Sequence, residues 1–135
     1  MTVIITDNKS CYSVYLPEYK WVHSTFKGIV NYELIMEHLQ NGQRFSQNHK
    51  LLGALVDLRS LRGSYHKLFE FLESVAYPKL KKSGLSTQAF IISDDLLIAN
   101  VTEKLMDVFS RLNIKAEIFT DIDEARIWLQ KNVSD

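Results

Sequence analysis

The sequence predicts an α/β domain with one mixed, mostly parallel sheet, an antiparallel hairpin on its N-terminal side and about four helices. Two observations support this fold class. The run from Leu51 to Leu58 is apolar almost throughout, as expected for a strand that is covered on both faces. Beyond this run, helical and extended patterns alternate to the C-terminus, and strands joined through helices pair in parallel with right-handed crossovers.

The overall composition is that of an ordinary globular protein and argues against several functions. The 135 residues suit one domain, residues 1–135, and 46% of them are apolar, which argues against disorder. The 16 basic and 16 acidic side chains give zero net charge, without the basic excess of proteins that bind nucleic acid. Apolar runs are far shorter than the ~20 residues that span a bilayer, and the N-terminus does not resemble a signal peptide. We therefore expect a cytoplasmic protein that is not transmembrane and does not bind nucleic acid.

Three extended segments precede the first helix. Val3 to Thr6 is a short β-branched run that is either an edge strand or a lead-in to the next strand. Tyr12 to Leu16 and Tyr19 to Phe26 alternate in polarity, and the short connection between them predicts an antiparallel hairpin. Pro17 has no N–H to donate and should end the first of these strands, whereas Gly28 is expected to end the second.

The first helix is predicted to begin after Asn31, because asparagine side chains accept hydrogen bonds at helix N-termini. Its buried face has the i, i+3, i+4, i+7 spacing of an amphipathic helix and consists of Tyr32, Ile35, Met36 and Leu39. The helix should weaken near Asn41 and Gly42, although Arg44 and Phe45 could add another turn, and the polar residues 46–50 are expected to form a loop.

The stretch from Gly53 to Ser64 organises the rest of the chain. We interpret it as a buried strand that ends near Leu58, a polar loop, and the start of a helix that Ser64 caps. The buried stripe of that helix is Tyr65, Leu68, Phe69, Leu72, Val75 and Ala76. Pro78 lacks the N–H that a helix needs, so this helix should end or kink near Tyr77.

Two strand–helix pairs complete the predicted fold. Strands are expected at Thr87 to Ile92 and at Lys115 to Phe119. Each strand is followed by oxygen-bearing side chains that can cap a helix, and these are Ser93, Asp94, Asp95 and Asp121. Residues 132–135 should fray at the end of the last helix.

Four segments carry a resemblance to a known family. They are Phe26-Lys-Gly-Ile-Val30, Ala54-Leu-Val-Asp-Leu-Arg59, Ala89-Phe-Ile-Ile-Ser93 and Ile118-Phe-Thr-Asp-Ile-Asp-Glu-Ala-Arg-Ile-Trp-Leu129. From about Tyr12 to Leu129, the chain resembles the STAS domains of sulphate transporters and anti-sigma-factor antagonists. Within them it resembles the small stand-alone bacterial proteins that are grouped with STAS and CRAL–TRIO-type domains. The resemblance implies a regulatory domain, and its CRAL–TRIO side implies an apolar cavity beneath the stripe that begins at Tyr65.

The chain departs from this family at one important place. Anti-sigma-factor antagonists carry Asp-Ser-Ser-Gly, or a close variant, where the loop after the central strand meets its helix, and the serine there is phosphorylated. This chain has Arg62-Gly-Ser-Tyr-His66 in that region, with neither the matching Asp nor the following Gly around Ser64. The resemblance therefore does not extend a phosphorylation switch to Ser60 or Ser64.

Polar side chains at two predicted strand ends are the candidate binding residues. They are Asp57, Arg59, Ser60, Arg62, Ser64, Ser93 and Asp94. Backbone N–H groups at a helix start can bind an anion together with arginine side chains, and crevices at the carboxyl ends of parallel strands are usual ligand sites. The alternative is structural: Ser64 caps a helix and both arginines are solvated, since the chain has no glycine-rich phosphate-binding motif.

No pattern in the sequence indicates catalysis, a cofactor or a bound metal. Asp57 with Asp94 and Asp95 could form a magnesium site, but a capping role for Asp94 and a solvated or loop-bonded Asp57 are the better interpretation. The four histidines lie on separate predicted elements, so we interpret them as ordinary surface or half-buried residues. The single cysteine, Cys11, is interpreted as inert.

The leading functional interpretation is a non-enzymatic regulatory or protein-interaction domain. It would dock a protein partner through the segment from Ser60 to His66 and the helix that follows. This interpretation rests on the missing catalytic motifs and on the family resemblance, and a fold alone does not define a function. The alternative is a small-molecule or lipid carrier whose ligand occupies an apolar cavity between the sheet and the helices.

Overall fold

A computed structural model describes residues 2–133, which form a six-stranded sheet and the helices around it. The strands are β1 (Val3–Asp7), β2 (Cys11–Leu16), β3 (Trp21–Ile29), β4 (Gly53–Arg62), β5 (Thr87–Ile91) and β6 (Lys115–Phe119), and they lie side by side in chain order. β1, β2 and β3 pair antiparallel, and β3 to β6 pair in parallel. The predicted mixed, mostly parallel sheet is confirmed, and the first β-branched run is an edge strand.

Four helical segments accompany the sheet in the described part of the chain. They are α1 (Tyr32–Ser46), a composite helix that includes α2 (Phe69–Phe71) and α3 (Tyr77–Lys82), α4 (Leu96–Arg111) and α5 (Ile122–Asn132). Within the composite helix, a 3₁₀ turn (His66–Leu68) precedes α2, and a π-helical turn (Leu72–Ala76) joins α2 to α3. Among residues 2–133, none of the helices combines the length and apolar composition needed to cross a lipid bilayer.

The sheet separates two cores of different size. The larger core lies between the sheet and three helical segments, α1, the composite helix and α4, and contains Phe26, Leu72 and Phe90. The smaller core lies on the other face, where Ala125 and Leu129 of α5 pack against the sheet. Strand order never reverses along the sheet, so the helices that connect the parallel strands all lie on one face.

The two central strands run further than the sequence predicted. β3 does not end at Gly28, because this glycine takes a φ of 78°, a conformation that glycine adopts without strain, and the strand continues to Ile29. This continuation gives β4 a partner beyond Leu58, and β4 therefore extends to Arg62. The segment predicted as a polar loop between Leu58 and Ser64 is mostly strand.

A β-bulge in this extension decides which side chains face the core. The pairing of Thr25 with Asp57 is followed by that of Lys27 with Ser60, so β4 carries one extra residue between these pairs. The extra residue reverses the alternation along the strand, and Leu61 instead of Ser60 is buried in the larger core. The bulge thus leaves Ser60 exposed at the end of the sheet.

Two helices continue past positions where the sequence predicted a weakening, an end or a kink. α1 runs through Asn41 and Gly42 to Ser46. The composite helix continues past Pro78 to Lys82, because this proline lies in the first turn of α3, where its missing N–H is tolerated. The π-helical turn immediately before α3 is the only departure from regular α-helix geometry next to the proline within the described residues.

Side-chain caps confirm two of the predicted helix starts. Asn31 Oδ1 accepts the backbone N–H of Leu34 at 3.1 Å, and Asp121 Oδ1 accepts two backbone N–H groups of the first turn of α5 at 2.7 and 3.3 Å. Asn132 is the last residue of α5. Of the residues predicted to fray, 134 and 135 lie outside the described part of the chain.

Candidate functional site

Asp57 and Arg59, two of the predicted binding residues, form an ion pair on β4. Arg59 donates from Nε to Asp57 Oδ1 at 3.0 Å and from Nη2 to Oδ2 at 2.8 Å, and its backbone N–H donates to Oδ1 at 3.1 Å. Asp57 is 6% exposed, whereas the side chain of Arg59 is 40% exposed. Asp57 is therefore not a solvated residue, and its partner lies on its own strand.

Burial and nearby charges shift the pKa values of Asp57 and of the neighbouring His23. Burial raises the pKa of Asp57, but the hydrogen bonds and the charge of Arg59 outweigh it and hold this pKa below its usual value. Burial, reinforced by the charge of Arg126, lowers the pKa of His23, and His23 Nε2 is buried without a partner within residues 2–133. Since both carboxylate oxygens of Asp57 bond to Arg59, Asp57 holds the arginine in place and is not a free metal ligand.

Ser60, Arg62 and Ser64 lie on or just after the end of β4. Ser60 and Arg62 are exposed residues of the strand. Ser64 is half-buried, and its Oγ accepts the backbone N–H of His66 at 3.2 Å and lies 3.1 Å from His66 Nδ1. The capping position of the 3₁₀ turn belongs to Tyr65, which makes no side-chain capping bond. The prediction that Ser64 caps the helix is therefore wrong. Its side chain instead stabilises a local turn by accepting the N–H of the second residue after it.

Ser93 and Asp94 follow β5, which is the neighbour of β4 at Asp57. Ser93 Oγ accepts the backbone N–H of Asp95 at 3.3 Å, and Asp94 is exposed. The cap of α4 is Asp95, whose Oδ1 accepts two N–H groups of the first turn at 2.9 and 3.2 Å. Of the capping residues predicted here, Asp95 is confirmed, whereas Asp94 is not the cap.

The predicted binding residues lie at the same end of the sheet but do not form one connected site. In open α/β sheets, a binding crevice forms where the strand order reverses, and β1 to β6 follow chain order throughout residues 2–133. Hydrogen bonds bring Asp57 and Arg59 together. None of the described hydrogen bonds connects this pair to Ser60, Arg62, Ser64, Ser93 or Asp94.

An apolar pocket of about 120 Å³ lies between the sheet and the helices of the larger core. Side chains of β3, β4 and β5 form its floor, and α1, the composite helix and α4 form its walls. Its apolar lining includes Val22, Val56, Leu72, Phe90 and Leu105, and none of its described lining residues is Lys, Arg, Asp or Glu. A cavity in this place is what the carrier interpretation of the sequence expects.

A buried polar network borders the pocket at α1. His38 Nδ1 lies 2.8 Å from Thr6 Oγ1, and His38 Nε2 lies 3.4 Å from Ser24 Oγ. Asn41 donates to Thr6 Oγ1 at 3.0 Å, and Ser24 bonds to Ser13 at 2.8 Å. Burial lowers the pKa of His38 to about 4, so its imidazole is neutral at pH 7. The interpretation of His38 as a surface or half-buried histidine is wrong.

A second polar pair lines the pocket where β5 faces the composite helix. Gln88 lies within β5 and is 1% exposed, and its Nε2 donates to Tyr77 Oη at 2.8 Å. Tyr77 is the first residue of α3 and directly follows the π-helical turn. Burial raises the pKa of Tyr77 to about 12, so its hydroxyl group keeps its proton.

Sequence reasoning missed His38 and Gln88 as pocket residues, although both carry a signal. His38 lies three residues after Ile35 and therefore near the apolar stripe of α1. Gln88 is a long polar side chain within a strand that is buried at every position from Thr87 to Ile91. A polar residue inside an otherwise apolar run needs a buried partner, and this requirement points to an internal site.

Comparison with known proteins bears on the fold. A scan against known protein families and a search of curated proteins found no match to this chain. The structure is similar to the crystal structure of an uncharacterized protein from the DUF3478 family with a SpoIIAA-like fold from Shewanella loihica PV-4. The TM-score is 0.55, and the sequences are 17% identical over 96% of this chain and 92% of that chain. A SpoIIAA-like fold is a STAS-like fold, so the fold that the sequence resemblance implied is confirmed.

Proposed function

We propose that this protein binds a small, mostly apolar molecule in the pocket between its sheet and its helices. The observation that carries the proposal is the lining of the pocket, which consists of apolar side chains and a few uncharged polar ones. Ligand sites are typically concave and mostly apolar, with a small number of polar groups that orient the ligand. Here the polar lining residues are Ser24, His38, Tyr65, Tyr77 and Gln88.

The volume of the pocket limits the size of the ligand. An apolar cavity of about 150 Å³ accepts benzene, so a pocket of about 120 Å³ suits a single ring or a short branched chain. A long acyl chain exceeds this volume and would extend out of the pocket. We therefore favour a small molecule over a lipid as the ligand.

The free energy of the empty pocket also supports a ligand. At roughly 24 cal/mol per Å³, a fully enclosed apolar void of about 120 Å³ would destabilise the fold by about 3 kcal/mol, which is the upper limit for this partly open pocket. The total stability of a domain is about 5–15 kcal/mol, so this is a large fraction of it. A molecule that fills the void restores part of this free energy, and binding should therefore raise the unfolding temperature.

Two measurements test the proposal. Native mass spectrometry of the protein purified from its own host should show an added mass below that of a lipid. Thermal unfolding should shift upward with small apolar compounds such as toluene. In the variant Ala76→Leu, the added methyl groups occupy the pocket, and the shift should disappear.

Ala99→Leu is the matched control for this variant. Ala99 is a partly buried residue of α4 that packs on the same core but does not line the pocket. Ala99→Leu adds the same atoms as Ala76→Leu but outside the pocket. The upward shift of the unfolding temperature with toluene should therefore remain. A toluene response that persists in Ala76→Leu, or that is missing from the parent protein, would show that the pocket is not a binding site.

We also propose docking of a protein partner as a second function, because one exposed surface favours it. Ile29, at the end of β3, is 80% exposed and pairs with Arg62 of β4. Arg59 and Ser60 are exposed beside them on β4. An isolated apolar side chain among basic ones suits a partner segment that combines acidic and apolar residues. Neither proposed function includes a catalytic step.

Site-specific photo-crosslinking in the host cytoplasm, where we expect the protein, tests the docking surface. A crosslinking amino acid at Arg62 should capture a defined protein. The same amino acid at Glu18, an exposed residue before β3 at the opposite edge of the sheet, should not capture it. Equal capture from both positions, or none from Arg62, would exclude this surface as the docking site.

A further inference from the structure

We infer that the ligand of the pocket is an uncharged molecule with one hydroxyl or amide group, and that Gln88 and Tyr77 bind this group. The inference rests on the proposed function, because it assigns a chemical class to the molecule in the pocket. It goes beyond that function by naming the two side chains that select the ligand. Three observations carry it: an incomplete hydrogen-bond pair, a lining without charge and the satisfied state of the other polar groups.

One polar atom of the Gln88 carboxamide has no hydrogen-bond partner among the described residues. Its Nε2 donates to Tyr77 Oη at 2.8 Å, and within residues 2–133 its Oε1 accepts no hydrogen bond. Rotating the amide group exchanges the two atoms, and one of them still lacks a partner. Gln88 is 1% exposed and lines the pocket, so a polar group of a molecule in the pocket can supply the partner that this atom lacks among the described residues.

Tyr77 supplies the complementary half of the same site. Its Oη accepts from Gln88, and its own O–H donates to no atom of the described residues. In either orientation of the amide, the pair offers one acceptor and one donor next to an apolar pocket: Gln88 Oε1 with the O–H of Tyr77, or the Oη of Tyr77 with the N–H of Gln88. A hydroxyl or amide group both donates and accepts, and it can satisfy the two atoms together.

The rest of the lining argues against a charged ligand. The pocket has no Lys, Arg, Asp or Glu side chain among the described residues to pair with a charge. Its imidazole, His38, is held neutral by burial. Moving an unpaired carboxylate or ammonium group into such surroundings is strongly unfavourable. Carboxylate ligands, including fatty-acid anions, therefore do not suit this site.

The other polar groups of the pocket already have partners. Both ring nitrogens of His38 lie within hydrogen-bonding distance of hydroxyl groups, and Tyr65 bonds to Thr102 at 2.6 Å. Ser24 bonds to both Ser13 and His38. Because these groups are satisfied and Gln88 is not, the ligand's polar group belongs at Gln88.

Calorimetric titration of the full chain with three aromatic probes tests the inference. Phenol and toluene differ by one hydroxyl group in place of a methyl group, and benzoate carries a charge. We expect phenol and toluene to bind and benzoate not to bind. In Gln88→Met, which keeps the length of the side chain, the affinity ratio of phenol to toluene should fall about fivefold to tenfold.

Two further variants make the outcome decisive. Tyr77→Phe combined with Gln88→Met removes both polar groups, so no unpaired atom remains to destabilise the fold, and it should show the same reduced ratio. Ser24→Ala removes a polar group elsewhere in the pocket and should leave the ratio unchanged. An unchanged ratio in both Gln88 variants, or binding of benzoate as tight as that of phenol, overturns the inference while the binding of toluene still supports the pocket. Binding of no probe overturns the proposed function as well.

Discussion

The buried histidine should make the protein less stable in weakly acidic solution. The pKa of His38 is lowered from 6.5 to about 4 by burial, so below pH 6.5 the unfolded chain binds a proton that the folded protein does not. Stability conferred by the neutral imidazole is therefore complete above pH 6.5 and is lost as the pH falls towards 4. Linkage gives a loss of about 2 kcal/mol at pH 5 and about 3 kcal/mol at pH 4.

Urea unfolding at pH 7, 6 and 5 measures this loss directly. In His38→Gln, which keeps an uncharged polar group in the network, the pH dependence should decrease by about 2 kcal/mol over this range. His66→Gln, which changes an exposed histidine, is the matched control and should retain it. Identical pH dependence in the parent and in His38→Gln would refute the reasoning. A pKa near 6.5 for His38, measured by NMR titration, would also refute it.

Two other substitutions test the packing and the ion pair. Asp57→Ala should lower the free energy of unfolding by about 1–3 kcal/mol in urea at pH 7. This is less than the roughly 3–5 kcal/mol of a fully buried pair, because Arg59 is exposed enough to be hydrated alone; an unchanged midpoint would mean that Asp57 is solvated. Gly53→Ala should destabilise by about 1–3 kcal/mol, because its new Cβ lies 2.8 Å from Val133 Cγ2. Gly42→Ala is the control, since no atom lies within 4 Å of its new Cβ and α1 should gain about 0.5–1 kcal/mol; equal effects of the two glycine substitutions would contradict this account.

The sequence predicts the fold well where side-chain patterns are local. The apolar run of β4, the caps at Asn31 and Asp121 and the spacing of apolar residues on α1 each depend on neighbours within one element, and all are confirmed. The extension of β4 could not be predicted in this way. It requires β3 to continue through Gly28, and only the pairing between two distant segments reveals that continuation.

The candidate site was harder to predict for a related reason. Charged residues such as Arg59 and Arg62 stand out in a sequence, but the bulge that orients them depends on strand pairing. The pocket depends on residues from at least six elements that lie far apart in the chain. Gln88 and His38 stand beside apolar residues in the sequence, but only the fold shows that both face the same pocket.

The composite helix connects the two proposed sites, and this has a thermodynamic consequence. The helix begins just after the exposed end of β4 and then contributes Leu72, Ala76 and Tyr77 to the wall of the pocket. A ligand that changes the position of this helix would change the affinity of the docking surface, and a docked partner would change ligand affinity by the same factor. The free energy gained by filling the pocket limits this coupling. A gain of at most about 3 kcal/mol corresponds to a change in affinity of at most roughly 150-fold. We expect such a movement to occur at the π-helical turn next to Tyr77, because the hydrogen bonding of the helix is least regular there.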